Sequence, residues 1–348
     1  MKLILHVGTP KTASTLIQNS LEANPEWLAS HGLAYGKVLA PDANHITLFY
    51  ACANRLHDFA RDYGLNSMEE VAAFRAKVAK RIRWHQDQLH GKAHTMIFSS
   101  ENLTGNMHHP DEIARLKQFL APHFDEIKVV IYVRRQDDAI LSMYGEHMRR
   151  GFSNELFREF VDICMGPESP TPYLYYRREL SKWVDIWGRD NIIVRRFSPV
   201  DFINGDILAD FLGIVLNTWE PNLDGFTASK DDNRGLSAAA LELLRRLHPH
   251  IPFIKDGRPN PQRTLLTPYI SQLPAHPRPV MAAGTARHIM RHFEPANTWL
   301  KNTFFSELEG PFFPDRPDHP EQGNLSQLSH EDMVNLTGQL LAKLRLRS

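Results

Sequence analysis

Leu3-Ile4-Leu5-His6-Val7-Gly8-Thr9-Pro10-Lys11-Thr12-Ala13-Ser14-Thr15-Leu16-Ile17-Gln18 decides how the rest of this chain is read. An apolar run of strand character ends on Gly8, a short hydroxyl-rich turn follows, and Leu16, Ile17 and Leu21 then fall at helical spacing. Such a strand–loop–helix unit offers backbone N–H groups and a helix N-terminus to an anion. Aligned from Gly8 on the nucleotide-loop pattern G-x-x-x-x-G-K-[ST], Thr15 matches, but Ala13 stands at the second glycine and Ser14 at the lysine. The loop's lysine, Lys11, comes three residues earlier. This is a phosphate loop altered away from that of an ordinary nucleoside triphosphatase.

A second block has matching character. Val129-Val130-Ile131-Tyr132-Val133 is a strand-like run that ends in Arg134-Arg135, and Ser142 follows Arg134 by eight residues on the next helical stretch. The first block resembles the 5′-phosphosulfate loop of sulfotransferases that use 3′-phosphoadenosine 5′-phosphosulfate (PAPS). The second resembles the 3′-phosphate block of the same family, in which a strand-end arginine is followed by a serine at that spacing. Taking Arg135 instead of Arg134 loses the match at Ser142. The resemblance covers roughly residues 1–200. It implies an α/β, P-loop NTPase-like three-layer fold with a central parallel sheet flanked by helices. It also implies PAPS as sulfo donor, no metal, and a nucleotide site built from Pro10, Lys11, Thr12, Ala13, Ser14, Thr15, Arg134 and Ser142.

The pattern along the chain supports that architecture. Strand-like runs near 3–7, 94–99, 127–133 and 192–194 alternate with helical stretches near 13–23, 46–63, 67–90, 154–165 and 173–187. A helix ending at Arg150 has Gly151 as its cap, and a last helix is expected near 330–345. Strands alternating with helices argue a parallel sheet covered on both faces. Ligands of such sheets bind at the strands' carboxyl ends, where Thr9–Thr15, Ser99–Asn102 and Arg134–Ser142 fall. We expect one domain over residues 1–348. Pro249–Pro279 holds eight prolines and no sustained apolar period, which favours an extended loop or lid within it.

Forty basic and forty acidic residues cancel, so no global field favours nucleic acid or an anionic membrane. No run of about 18 apolar residues suggests a membrane span. The N-terminus reads as a strand rather than a secretory signal. Cys52 and Cys164 have neither metal-ligand spacing nor the look of a disulfide framework. A reducing cytoplasm is the plain expectation; the oligomeric state is left open.

Sulfuryl transfer needs a cation where charge develops on the leaving oxygen, and a base for the acceptor hydroxyl. Lys11 is the candidate cation, Thr12, Ser14 and Thr15 supply hydroxyls, and Arg134 offers a planar fork to a terminal phosphate. Glu101, in Ser100-Glu101-Asn102, stands where the resemblance to carbohydrate sulfotransferases places the base, although the lysine that follows it in several heparan-type enzymes is absent. The competing reading of Glu101 is a helix cap. His45 is the alternative base, since histidine titrates near neutrality. Arg234-Gly235 resembles a late 3′-phosphate contact of some sulfotransferases, and equally reads as a loop capping the helix from Leu236. His288 and His292 have helical i, i+4 spacing without the glutamate of H-E-x-x-H, so no metal is expected. The expected activity is transfer of a sulfo group from PAPS to a hydroxyl of a glycan or glycolipid. A P-loop kinase or NTPase is the alternative, and a non-catalytic nucleotide-binding regulator a third class.

Overall fold

The computed structural model describes residues 1–36, 43–229, 235–316 and 319–345. The chain first runs through β1 (Lys2–His6), α1 (Ser14–Ala23), α2 (Pro25–Ser30), β2 (Leu33–Ala34), α3 (Thr47–Cys52), α4 (Val71–Leu89), β3 (Thr95–Ser99), α5 (Asn102–Gly105), α6 (Pro110–Leu120) and β4 (Glu126–Val133). Next come α7 (Gln136–Arg150), α8 (Phe157–Met165), α9 (Tyr176–Trp187), β5 (Ile192–Arg196) and α10 (Ile207–Leu216). The remaining stretch holds α11 (Ala238–Leu247), the paired two-residue strands β6 (Ile254–Lys255) and β7 (Arg258–Pro259), α12 (Pro261–Ile270), α13 (Ala283–Phe304) and α14 (His330–Arg345). These form two compact units, Met1–Arg134 with Tyr173–Lys230, and Arg135–Pro172 with Asp231–Ser348.

The first unit carries an all-parallel sheet in the order β2-β3-β1-β4-β5. Ile4, Ile97, Val130 and Tyr132 face one side, where α1 and α10 cover them with Ile17, Leu21, Leu208, Phe211 and Leu212. Leu3, Leu5, Val129, Ile131 and Val133 alternate onto the other side and are equally inaccessible. On that side Phe98 meets Phe124 and the ring of His45. Burial on both faces is why these strands read as continuous apolar runs. Truncating one such side chain, for instance Ile131→Ala, costs about 2–5 kcal/mol. The expected α/β architecture, a central parallel sheet flanked by helices, is the one observed.

Strand order fixes where the functional residues emerge. From β1 the chain moves outward to β2, returns through β3, and then crosses to β4 and β5 on the opposite side of β1. Winding reverses at β1, and such reversals open a crevice at the carboxyl ends of the strands. His6 lies opposite Ser99 of β3 and Val130 of β4. The loop after β1 is therefore flanked by Glu101, just past β3, and by Arg134, just past β4. The helical stretch expected over 46–63 is broken: α3 stops at Cys52, Ala53 turns extended, and Asp58–Tyr63 is a 3-10 helix.

The second unit is helical apart from the β6–β7 hairpin. Its α7 ends on Gly151 at φ 73°, the left-handed cap expected from sequence, with the Gly151 N–H bonded to His147 O at 2.8 Å. The Pro-rich stretch corrects an expectation, because it is not an extended loop: it holds the hairpin and the ten-residue α12. Pro261 occupies the first helical turn, where a missing N–H costs nothing, and the Asn260 side chain caps the helix by accepting from Gln262 N–H at 3.0 Å. Among the described residues no helix is long and apolar enough to cross a membrane.

Candidate functional site

The loop between β1 and α1 is built from unusual backbone. Gly8, Lys11 and Ala13 all have positive φ, at 54°, 70° and 59°. At Gly8 only glycine fits, since a Cβ would lie 2.8 Å from Ser14 Oγ and 3.3 Å from Glu101 Cβ. Lys11 and Ala13 adopt the left-handed region without being glycine, at about 1–2 kcal/mol each. Such strain persists where neighbours over-determine the chain, and here they do. Thr12 Oγ1 donates to Thr9 O at 2.6 Å and accepts from Thr9 N–H at 3.3 Å. Thr9 Oγ1 donates to Tyr132 O at 2.8 Å, Thr104 Oγ1 donates to Gly8 O, and Arg134 Nη1 donates to Lys11 O at 2.8 Å.

The consequence is an anion cradle. No side chain caps α1, so its first-turn N–H groups keep their positive potential. Ser14 Oγ is buried with no hydrogen-bond partner among the described residues, which is costly unless a ligand completes it. Thr15 is exposed on the same turn. The Thr12 hydroxyl, expected to serve the ligand, instead closes the loop on Thr9.

Glu101 lies against this cradle. Its Oε2 accepts from Gln18 Nε2 at 3.0 Å and from Asn44 Nδ2 at 3.2 Å. Although it precedes α5, its side chain makes no capping bond, so the helix-cap reading fails. Among the described residues no lysine or arginine pairs with it, and Oε1 has no partner. A carboxylate held by two side-chain amides could serve as a proton acceptor.

His45, the alternative base, is placed differently. It is buried, its Nδ1 accepts from Ser99 N–H at 3.1 Å, and its Nε2 is 3.1 Å from Gly36 O. Both ring nitrogens thus serve the backbone, and burial pulls the imidazole down to about 4. With neither nitrogen left for a substrate proton, His45 is a structural residue of this unit. His6 is buried likewise, with Nδ1 2.8 Å from Ser99 Oγ and its ionisation pushed down to about 3.

Arg134 and Arg135 have different partners. The Arg134 guanidinium reaches the loop at Lys11 O and stacks over Phe197 at 5.4 Å, while the Tyr176 hydroxyl donates to Arg134 O at 2.6 Å. Arg135 belongs to the second unit and is locked in a bidentate pair with the buried Asp137, at 3.0 and 2.8 Å. Ser142 is half-buried on α7 of the second unit, and Gly235 is exposed just before the Ser237 cap of α11. Arg234 lies outside the described residues.

No family model and no curated protein matches the chain. Among solved structures, a sulfotransferase from Alicyclobacillus acidocaldarius is similar, at 16% identity and a TM-score of 0.40, covering 66% of this chain and 87% of that one. The residues that sequence reasoning missed are Gln18, Asn44, Thr104 and Tyr176. Gln18 alone carried a signal, since it sits one helical turn after Ser14 on the buried side of α1, where an amide needs a partner. Among the described residues no group of three or more His, Cys, Asp or Glu side chains is placed to hold a metal ion.

Proposed function

We propose that the chain transfers a sulfo group from PAPS to a hydroxyl of a glycan or glycolipid, releasing adenosine 3′,5′-bisphosphate. One observation carries the reading: the buried, unpartnered Ser14 hydroxyl at the uncapped start of α1, with the unneutralised carboxylate of Glu101 beside it. The cradle fits the 5′-phosphosulfate, which would be held by the backbone of Pro10–Thr15 and by Ser14. Lys11 would meet charge developing on the leaving oxygen. Arg134, already anchored at the loop, would serve a phosphate of the nucleotide. The acceptor oxygen bonds to sulfur as the sulfur–oxygen bond to the 5′-phosphate breaks, and that electron pair stays on the phosphate. The acceptor proton passes to Glu101. The glycan class rests on the resemblance to carbohydrate sulfotransferases, which use a glutamate at this place.

Two measurements test it together. Calorimetry without Mg²⁺ compares adenosine 3′,5′-bisphosphate, 5′-AMP and ATP, and labelled PAPS is offered with a glycan panel. The bisphosphate should bind best and label should reach an acceptor. Tighter binding of ATP would return the site to a kinase or NTPase. Equal affinity for 5′-AMP and the bisphosphate would remove the 3′-phosphate contact. Tight bisphosphate binding without transfer to any acceptor would make the chain a nucleotide-binding regulator.

A further inference from the structure

Among the described residues Glu101 is tethered through one oxygen only. Gln18 Nε2 lies 3.0 Å from Oε2, 3.1 Å from Ser99 Oγ and 3.5 Å from Ser99 O, and the Gln18 side chain is buried. Asn44 Nδ2 supplies the second bond to Oε2 at 3.2 Å. Two amide donors on the same oxygen fix both the position of the carboxylate and the direction in which its other oxygen points. Gln18 is also one turn along α1 from Ser14, so both side chains lie on one face of the helix. A single rigid helix thereby carries the hydroxyl of the anion cradle at one end of that face and the tether of the carboxylate at the other.

We propose that Gln18, assisted by Asn44, is a positioning residue for Glu101: it holds Oε2 in register with the anion cradle and leaves Oε1 as the oxygen that takes the acceptor's proton. The kinetic half of this inference rests on the sulfo-transfer reading; the geometric half does not. A carboxylate on a freely rotating side chain samples many placements, and misplacement by about 1 Å can lower a rate by about a hundredfold. A carboxylate tethered through one oxygen to the helix that shapes the cradle keeps its distance from whatever that cradle holds.

The test uses the full chain with Gln18→Leu and with Asn44→Ala. Crystal structures of the wild type and both variants locate the Glu101 carboxylate. Kinetics with PAPS and an acceptor separate kcat from KM, and calorimetry gives bisphosphate affinity. Gln18→Leu is then combined with Glu101→Ala. The expected result is a displaced or multiply placed carboxylate, a kcat lowered by about a hundredfold, and unchanged bisphosphate affinity. In the Glu101→Ala background, Gln18→Leu should lower kcat no further, because a residue acting only through Glu101 has nothing left to act on. A carboxylate that keeps its wild-type place in both variants overturns the proposal, and so do losses that multiply in the double variant. Should Gln18→Leu fail to fold, Asn44→Ala carries the same readouts from a half-buried position. If the wild type moves no sulfo group, the functional reading fails by itself, and the crystallographic position of Glu101 still decides whether Gln18 sets it.

Discussion

Ala13→Gly should make this protein more stable. Ala13 stands where the nucleotide-loop pattern has its second glycine, and it is held at φ 59°, ψ 24° as the residue preceding α1. An L residue in that region carries about 1–2 kcal/mol of strain. Glycine removes it and instead loses about 0.5–1 kcal/mol more backbone entropy on folding. The methyl that disappears is half-buried, so its loss subtracts only roughly 0.4 kcal/mol, half of a buried methylene. Glycine is also the better N-cap by a margin that offsets this last term. The balance is a gain centred on about 0.75 kcal/mol, or roughly 1.5–3 °C in Tm for a domain of 150–250 residues. Urea unfolding followed by tryptophan fluorescence reads it directly, since Trp27, Trp183 and Trp187 are all buried in the first unit. Bisphosphate affinity should hold, because glycine keeps the left-handed conformation that aims the loop's N–H groups. A destabilisation beyond about 0.5 kcal/mol, outside the range of neutral substitutions, would refute the loop geometry on which the anion cradle depends.

Lys11→Ala should lower turnover by about a hundredfold or more, as for loss of a major transition-state donor, with bisphosphate binding much less affected; near-normal turnover would leave Lys11 a turn residue. Arg134→Ala should weaken bisphosphate binding by about 1.5–3 kcal/mol, the range for a charge-assisted bond, and an unchanged calorimetric Kd would remove it from the site. Glu101→Gln should reduce kcat by roughly 10²–10⁴, the usual share of a general base, whereas His45→Ala should destabilise by about 1–3 kcal/mol for each backbone group it orphans and leave turnover per folded molecule intact; the reverse pattern would exchange their roles. Burial holds His6 and His45 neutral, down to about 3 and about 4 against an ordinary value of 6.5. The unfolded chain therefore binds protons below pH 6.5 that the folded one refuses. Their stabilisation is present above 6.5 and falls by about 2 kcal/mol for the pair between pH 6.5 and 5.5, and a urea midpoint that stays flat across that interval would contradict their burial.

The parts of the site legible in the sequence are those whose physics is local. Five consecutive apolar residues before Arg134 can only be a strand buried on both faces, and the charge that ends the run must emerge at the strand's carboxyl end. The same logic places Glu101 after Thr95–Ser99 and the loop after Lys2–His6, so the order of strands was the only further fact needed to bring all three to one crevice. Roles settled by long-range pairing were not legible. Nothing near His45 in sequence says that its ring nitrogens meet Ser99 and Gly36, and a loop histidine beside a motif reads as a base until its partners are seen. Thr12 misled for the opposite reason, because its hydroxyl is used three residues away and not on a ligand. The proline-rich stretch showed that composition is weaker than position: Asn260-Pro261 supplies cap and first residue of α12 together, and the helix continues through Pro268. Gln18 stands between these cases. Its place on the buried face of α1 required a polar partner, and only the fold made that partner Glu101. A buried amide one turn beyond this loop is thus a sequence-level sign that the loop's helix binds a further polar side chain.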